Sequence, residues 1–276
     1  IAGCPTVVLC TPPGPDGRVP DAVLAAAELA GVERVFAVGG AQAIAALAYG
    51  TESVPRVDKI VGPGNRYVTA AKWLVSDAVA IDLPAGPSEV VVLAGATADP
   101  RWVAAELVAQ AEHGPDGLCV AIATEPARAG QIAAEVERQV DALPDPGPAR
   151  ATLARSAVCT APDPDTAIDW VNALAPEHLV LMTEDDDAAL ARVANAGSVF
   201  LGPYATVVAG DYATGANHVL PTGGRARAAG GLAVDDFGKW IQVQRVTRDG
   251  LGELAHTLTT LARCEGLEAH ARAVAI

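Results

Sequence analysis

Basic residues are scarce in this chain. Its 276 residues include 19 Lys and Arg against 33 Asp and Glu, for a formal charge of −14, and the only lysines are Lys59, Lys72 and Lys239. A nucleic-acid partner requires a basic footprint to meet the phosphates, so no nucleic acid is expected as a partner. The acidity reads simply as a soluble surface. Long apolar runs are missing as well. None approaches the ~18–20 residues of a membrane span, and stretches such as Val90 to Ala96 are strand-sized. No membrane association is therefore expected. The five cysteines, at 4, 10, 119, 159 and 264, form no CxxC pair and no even framework, which suits a reducing compartment. No basic-plus-apolar signal segment is present, although the chain opens at Ile1 rather than Met. A cytoplasmic location is the expectation. There is no GxGxxG dinucleotide fingerprint, no repeat of solenoid length and no low-complexity tract.

What is present is globular: 51% hydrophobic and 19% charged residues, in a chain long enough for one large core or two smaller ones. The first 90 residues alternate strand, glycine turn and helix. Thr6 to Cys10 is β-rich, and Asp21 to Ala30 reads as a helix ended by Gly31. Val35 to Val38 leads through Gly39-Gly40 into a helix over 41–49. Lys59 to Val61 leads through Gly62-Pro63-Gly64-Asn65 into a helix over 67–75. Such alternation is the signature of a parallel α/β sheet. Ser88 to Leu93 is a buried-type strand, and Asp99-Pro100 caps a helix that runs to about Glu112. Further strands are predicted at 119–124, near Val158, at 179–182 and at 199–202, with helices over 125–143, 165–174 and 186–196. Pro144 to Pro148 reads as a breaker-rich connection. From Pro203 to Asp235 periodicity disappears, and a stretch that long is usually functional or disordered. Leu251 to Val274 reads as a helical tail.

Histidine occurs five times, at 113, 178, 218, 256 and 270. His113 follows Gln110 by three residues, which puts an amide oxygen and an imidazole nitrogen on one helical face. That mixed donor set suits a borderline cation such as zinc; the plainer alternative is a histidine complementing a helix C-terminus. Glu177-His178 pairs a carboxylate with an imidazole at a strand mouth, two proton acceptors with separate tasks. Adjacent extended residues point to opposite sides, so both meet one ligand only if the backbone turns near Pro176; otherwise they are a surface loop pair. Asp211 and His218 lie in the glycine-rich irregular stretch, where Asp is either a metal donor or a turn former. Glu265 and His270 would diverge by roughly 140° on an unbroken helix, unless it distorts at Gly266. His256 reads as structural. The turns holding Gln42 and Asn65 are weak phosphate markers. Cys119 falls inside a strand with nothing nearby to activate it.

Several ordered stretches carry a resemblance. They are GGAQAIAALAYGTESVPRVDKIVGPGNRYVTAAK (39–72), DLPAGPSEV (82–90), AQAEHGPD (109–116), APEHLVL (175–181), GSVFLGPY (197–204), GDYATGANHVLPTGG (210–224) and EGLEAH (265–270). Together they resemble histidinol dehydrogenases over essentially the whole chain. The resemblance implies an α/β fold of two Rossmann-like parallel-sheet domains, one incomplete, plus a helical C-terminal tail. The corresponding divisions are an NAD-contacting domain over 1–87, a substrate and zinc domain over 88–232, and a dimerisation tail over 233–276. It also implies that an N-terminal portion of a family member would precede Ile1.

By the same resemblance, Gln110, His113, Asp211 and His270 would bind zinc, with the tail crossing to the other subunit of a homodimer. Ser88, Gln110, His113, His178, Asp211, Glu265 and His270 would contact the substrate, L-histidinol, while Gln42 and Asn65 would contact NAD. His178 and Glu177 would be catalytic in a four-electron oxidation to L-histidine through a bound aldehyde, the last steps of histidine biosynthesis. One departure is that Ala205 to Ala209 is more apolar than the polar loop expected there. Competing expectations are a paralogous zinc and NAD dehydrogenase acting on another small alcohol, such as a sulfonated diol, and a catalytically silent metal-binding fragment.

Overall fold

Two short parallel pairs and one five-stranded parallel sheet organise the chain in a computed structural model that describes residues 1–83 and 86–274. Pro84 and Ala85 of the DLPAGPSEV stretch, and the last two residues of the tail, lie outside the described residues. By contact density the chain divides into a unit over Ile1–Phe237 and a second over Gly238–Ile276.

In the first unit, β1 (Val8–Cys10) pairs in parallel with β2 (Arg34–Phe36), with α1 (Asp21–Leu29) in the connection. Strand β3 (Lys59–Ile60) pairs with β4 (Ala80–Ile81), and α2 (Gly40–Tyr49) and α3 (Arg66–Val75) flank them. Ile44, Leu47, Ala48, Val54, Ile60, Val75 and Val79 form the core of this part. Helix α3 starts at Asn65, whose Oδ1 accepts from the Tyr67 and Val68 N–H groups at 3.0 and 3.2 Å, satisfying donors that a helix start leaves free.

The large sheet runs β7-β6-β5-β8-β9, all parallel. Its strands are β5 (Glu89–Ala94), β6 (Leu118–Ala123), β7 (Ala157–Thr160), β8 (His178–Met182) and β9 (Ser198–Leu201). The central β5 and β8 are apolar on both faces because helices cover both. Val90, Val92 and Val180 pack with Val103, Leu107 and Ile132 from α4 (Pro100–Ala111) and α5 (Pro126–Asp141). Val91, Leu93, Leu179 and Leu181 pack with Ile168 and Val171 from α7 (Pro164–Leu174). The expected α/β class with parallel sheets is what forms.

Three local expectations need correction. The proline-rich connection at 144–148 runs directly into a helix, α6 (Gly147–Leu153), since Pro148 sits in the first turn, where no N–H is required. The helix expected over 186–196 stops early, as α8 (Asp186–Leu190). Asn172 Oδ1 instead takes the Ala194 and Asn195 N–H groups at 2.7 and 3.2 Å, turning the chain toward β9. The stretch without periodicity contains α9 (Val207–Tyr212). The unexpectedly apolar segment before Gly210 leads into the start of this helix, where Val207 is buried at 4% exposed while Val208 faces solvent.

The second unit holds α10 (Arg248–Cys264) and α11 (Glu268–Val274). They are separated at Gly266, whose φ is 74°. Gly266 N–H donates to Arg263 O at 3.0 Å and Leu267 N–H to Ala262 O at 2.8 Å, which is a Schellman stop. The tail is therefore two helices rather than one, and Glu265 and His270 fall on either side of the break.

Candidate active site

The carboxyl ends of parallel strands are where α/β sheets bind ligands, but the expected catalytic pair sits at the start of β8. It gets there through a turn beside Pro176, the condition that the sequence set. Helix α7 ends in Ala175 with φ 49°, a left-handed conformation rarely held by a residue with a Cβ. The bend after it fixes Glu177 against β9, where the Gly197 N–H donates to Pro176 O and the Ser198 N–H to Glu177 O, both at 2.9 Å. Gly197 is required there, because a Cβ would lie 2.6 Å from Glu177 O.

Both side chains then converge on the backbone of one residue. The Glu89 N–H donates to Glu177 Oε2 at 2.8 Å, and His178 Nδ1 lies 3.1 Å from Glu89 O. A carbonyl only accepts, so Nδ1 carries the proton in this contact and the neutral ring presents its lone pair at Nε2. Nε2 lies 4.0 Å from Asp211 Oδ1, too far for a hydrogen bond, and has no hydrogen-bond partner among the described residues. Burial sets both titrations. Desolvation pushes the Glu177 carboxyl up to about 8, opposed by the Glu89 N–H and reinforced by the Glu89 and Asp211 carboxylates. Desolvation holds the His178 imidazole below the usual histidine range, with Glu89 O and Asp211 opposing the shift and His113 adding to it.

Gln110, near the end of α4, is 3% exposed, and neither its Oε1 nor its Nε2 has a partner among the described residues. A buried amide left unpaired costs on the order of 1–3 kcal/mol, so it calls for a ligand. His113 follows on the turn after α4 and is exposed, close enough to His178 to affect its titration. Asp211 is in α9 rather than in a loop, with its side chain 21% exposed. Amide oxygen, imidazole and carboxylate are hard-to-borderline donors that fit a divalent cation. Among the described residues no three His, Cys, Asp or Glu form a metal-sized group.

The remaining expected residues are dispersed. Ser88 immediately precedes β5, half-buried, and its carbonyl accepts from Leu118 N–H at 3.1 Å. Gln42 and Asn65 are exposed in the first turn of α2 and at the cap of α3. His218 is exposed on the segment after α9, and Glu265 and His270 are exposed in the second unit. Sequence reasoning missed Glu89, which acts through its backbone and so leaves no side-chain signature. It also missed the buried ion pair between Lys72 and Asp82. Lys72 Nζ donates to Gly62 O at 2.5 Å, and Asp82 Oδ2 accepts from Gly62 N–H at 2.6 Å, clamping the turn that presents Asn65. A lysine set among apolar residues, between Ala71 and Trp73, was the available clue, and the structure leaves it 2% exposed.

A parallel α/β protein that brings a neutral imidazole, a buried carboxyl and a second carboxylate together at the amino end of an interior strand has the features of an enzyme that handles protons at a polar small molecule. The family model for histidinol dehydrogenase matches residues 1–276, and the chain belongs to that family. It is 52% identical to the histidinol dehydrogenase of Xylella fastidiosa strain 9a5c, over 100% of this chain and 64% of the relative. It is 47% identical to that of Methanosarcina mazei, over 99% of this chain and 63% of the relative. The crystal structure of histidinol dehydrogenase from Elizabethkingia anophelis superposes with a TM-score of 0.96 at 43% identity, covering 99% of this chain and 63% of that one. The chain thus spans somewhat under two-thirds of the length of these relatives.

Proposed function

We propose that the protein oxidises L-histidinol to L-histidine through a bound aldehyde, in histidine biosynthesis, as a homodimer using zinc and two molecules of NAD. The observation that carries this reading is the opposed poise of two sequence neighbours. His178 is held neutral with its lone pair at Nε2, while Glu177 is a buried carboxyl whose proton is held up to about pH 8. His178 Nε2 accepts the alcohol proton in the first oxidation. Glu177, once it has released its own proton as it does increasingly toward pH 8, takes a proton from the water that adds to the aldehyde, so that the hydrate can be oxidised in turn. Bound NAD supplies the hydride acceptor, with Gln42 and Asn65 at two helix N-termini as its contacts. Gln110, His113 and Asp211, joined by the partner protomer's copy of His270, would hold the zinc, which supplies a Lewis-acid anchor for the substrate's imidazole and amine. Ser88 and Glu265 complete the substrate contacts. The exposed stripe of Leu251, Leu254, Leu258 and Leu261 on α10 is the kind of apolar face that a second copy covers. In this reading residues 1–87, 88–232 and 233–276 serve as the NAD, substrate and dimerisation parts.

A panel of alcohols tests the assignment. NAD reduction with histidinol, in about twofold excess over the histidinol consumed, is the expected result. Turnover of a sulfonated diol but not of histidinol would overturn it in favour of a paralogue, and zinc retention without any NAD reduction would leave a silent metal-binding fragment.

A further inference from the structure

One buried acid is not used by this chemistry. Glu106 is 4% exposed, four residues before Gln110 on α4, so the two side chains share one face a single turn apart. Its Oε2 accepts from the Val207 N–H at 3.1 Å, and the Thr206 side chain also bonds to it. Val207 is the first residue of α9, whose N-terminal cap is Thr206. Burial raises the Glu106 carboxyl above its ordinary range, opposed by both of these contacts.

An acid in that position is costly. The neighbouring buried residues of α4 are Val103, Ala104, Leu107, Val108 and Ala111, and an apolar side chain there would avoid the desolvation cost. What the acid supplies is a fixed tether. Helix α9 has six residues, too few to hold a conformation by its own hydrogen bonds, so its orientation is set by what anchors its ends. Glu106 anchors the start. Asp211, in the last turn, projects from the end toward His178 Nε2.

We propose that Glu106 is a positioning residue for the metal site: it ties the helix that carries Asp211 to the helix that carries Gln110, and so sets the separation of two donors contributed by segments 101 residues apart. This rests on the zinc reading above. Supporting groups behind metal ligands are worth about 10- to 100-fold in affinity.

The test is zinc affinity by chelator competition on the full protein, together with the visible spectrum of the cobalt-substituted form and the denaturation midpoint of the metal-free form. Glu106→Leu is expected to weaken zinc by about tenfold or more and to shift the cobalt bands. Glu106→Gln keeps an acceptor for the Val207 N–H and is expected to stay within about threefold of the parent. Val207→Pro removes the donor while suiting the first position of a helix, and it should reproduce the Glu106→Leu loss even if that variant folds poorly. Parent-like affinity and spectrum in both Glu106→Leu and Val207→Pro would overturn the proposal while leaving the zinc site standing. So would a loss of affinity fully matched by a loss of metal-free stability and not rescued in Glu106→Gln. A parent protein that binds neither metal would overturn the zinc reading itself, and this inference with it.

Discussion

Glu177 Oε2 and His178 Nδ1 lie 3.6 Å apart, although adjacent residues in an extended strand should face opposite ways. The left-handed Ala175 and the two backbone groups of Glu89 bring them together, and Glu89 sorts them by chemistry: its N–H takes the carboxylate and its carbonyl takes the imidazole. Each partner is thereby oriented while its remaining polar atoms stay available for reaction.

This sorting predicts a division of labour between the two steps. On the proposed mechanism His178→Asn removes the proton acceptor for the alcohol, and histidinol oxidation should fall by about 10²- to 10⁴-fold, the usual worth of a general base. Glu177→Gln keeps an acceptor for the Glu89 N–H but cannot take a proton from water. It should slow aldehyde oxidation by a similar factor and spare the first hydride transfer. Single-turnover measurements started from the alcohol and, separately, from the aldehyde resolve the two. Equal losses in both steps for both variants would contradict separate roles.

The same burial makes stability depend on pH with a definite sign. In the metal-free protein Glu177 is raised from 4.5 to about 8, so the folded form keeps a proton that the unfolded chain releases. Its contribution is full below 4.5 and is lost as pH rises to about 8. His178 is shifted downward from 6.5, so its contribution is full above 6.5 and is lost as pH falls. Between 4.5 and 6.5 the two oppose each other; above 6.5 only Glu177 acts, and stability should decline by about 2 kcal/mol between pH 6.5 and 8. Urea midpoints across that range measure the decline, which should vanish in Glu177→Gln. A flat profile in the parent would refute the buried-acid account.

The Lys72 and Asp82 pair gives a prediction at the other end of the first unit. Their side chains are 3% and 0% exposed, so removing one partner strands a buried charge. Lys72→Met should cost about 3–5 kcal/mol, and the Lys72→Met, Asp82→Leu double variant distinctly less. The Gly62 turn loses its clamp in either case, so if Asn65 contacts NAD as proposed, NAD affinity should fall in both. Calorimetry with NAD and chemical denaturation separate the two effects. Unchanged NAD affinity in a folded double variant would dissociate the clamp from the Asn65 turn.

Much of this was legible from the residues. Strand–glycine–helix alternation gave the parallel α/β class, and Asp99-Pro100 marked the start of α4. The spacing of Gln110 and His113 put two donors on one helical face but left a plain helix C-terminus as the alternative, and only the family resemblance raised them to candidate ligands. The helix carrying Asp211 was hidden, because its six residues are too few for a period to show, and its anchor is a side chain 101 positions away. The Glu177 and His178 arrangement was visible only as a condition, that the backbone turn. Pro176 marked the place, but the residue that takes the left-handed conformation is Ala175, which carries no signal of its own. The break at Gly266 could be foreseen as a possibility from the glycine, while the pairing that seals it is backbone alone.

Gly210 supplies the last prediction. It precedes Asp211, and a Cβ built there would lie 2.6 Å from Phe200 Cε1. The Phe200 ring in turn sits 6.0 Å, centroid to centroid, from the His178 ring. Adding one methyl at 210 must push either α9 outward, taking Asp211 with it, or Phe200 toward His178, and packed interiors resist both by about 1–3 kcal/mol. Gly210→Ala should therefore lower zinc affinity and histidinol turnover together while leaving NAD affinity unchanged, since the proposed NAD contacts, Gln42 and Asn65, belong to other elements. Shortening the obstructing ring should relieve the conflict, so Phe200→Leu added to Gly210→Ala is expected to recover part of the zinc affinity that the single variant loses. Chelator competition on the parent, the single and the double variant checks this. An additive loss in the double variant would mean that glycine is needed at 210 for some reason other than the approach of this ring.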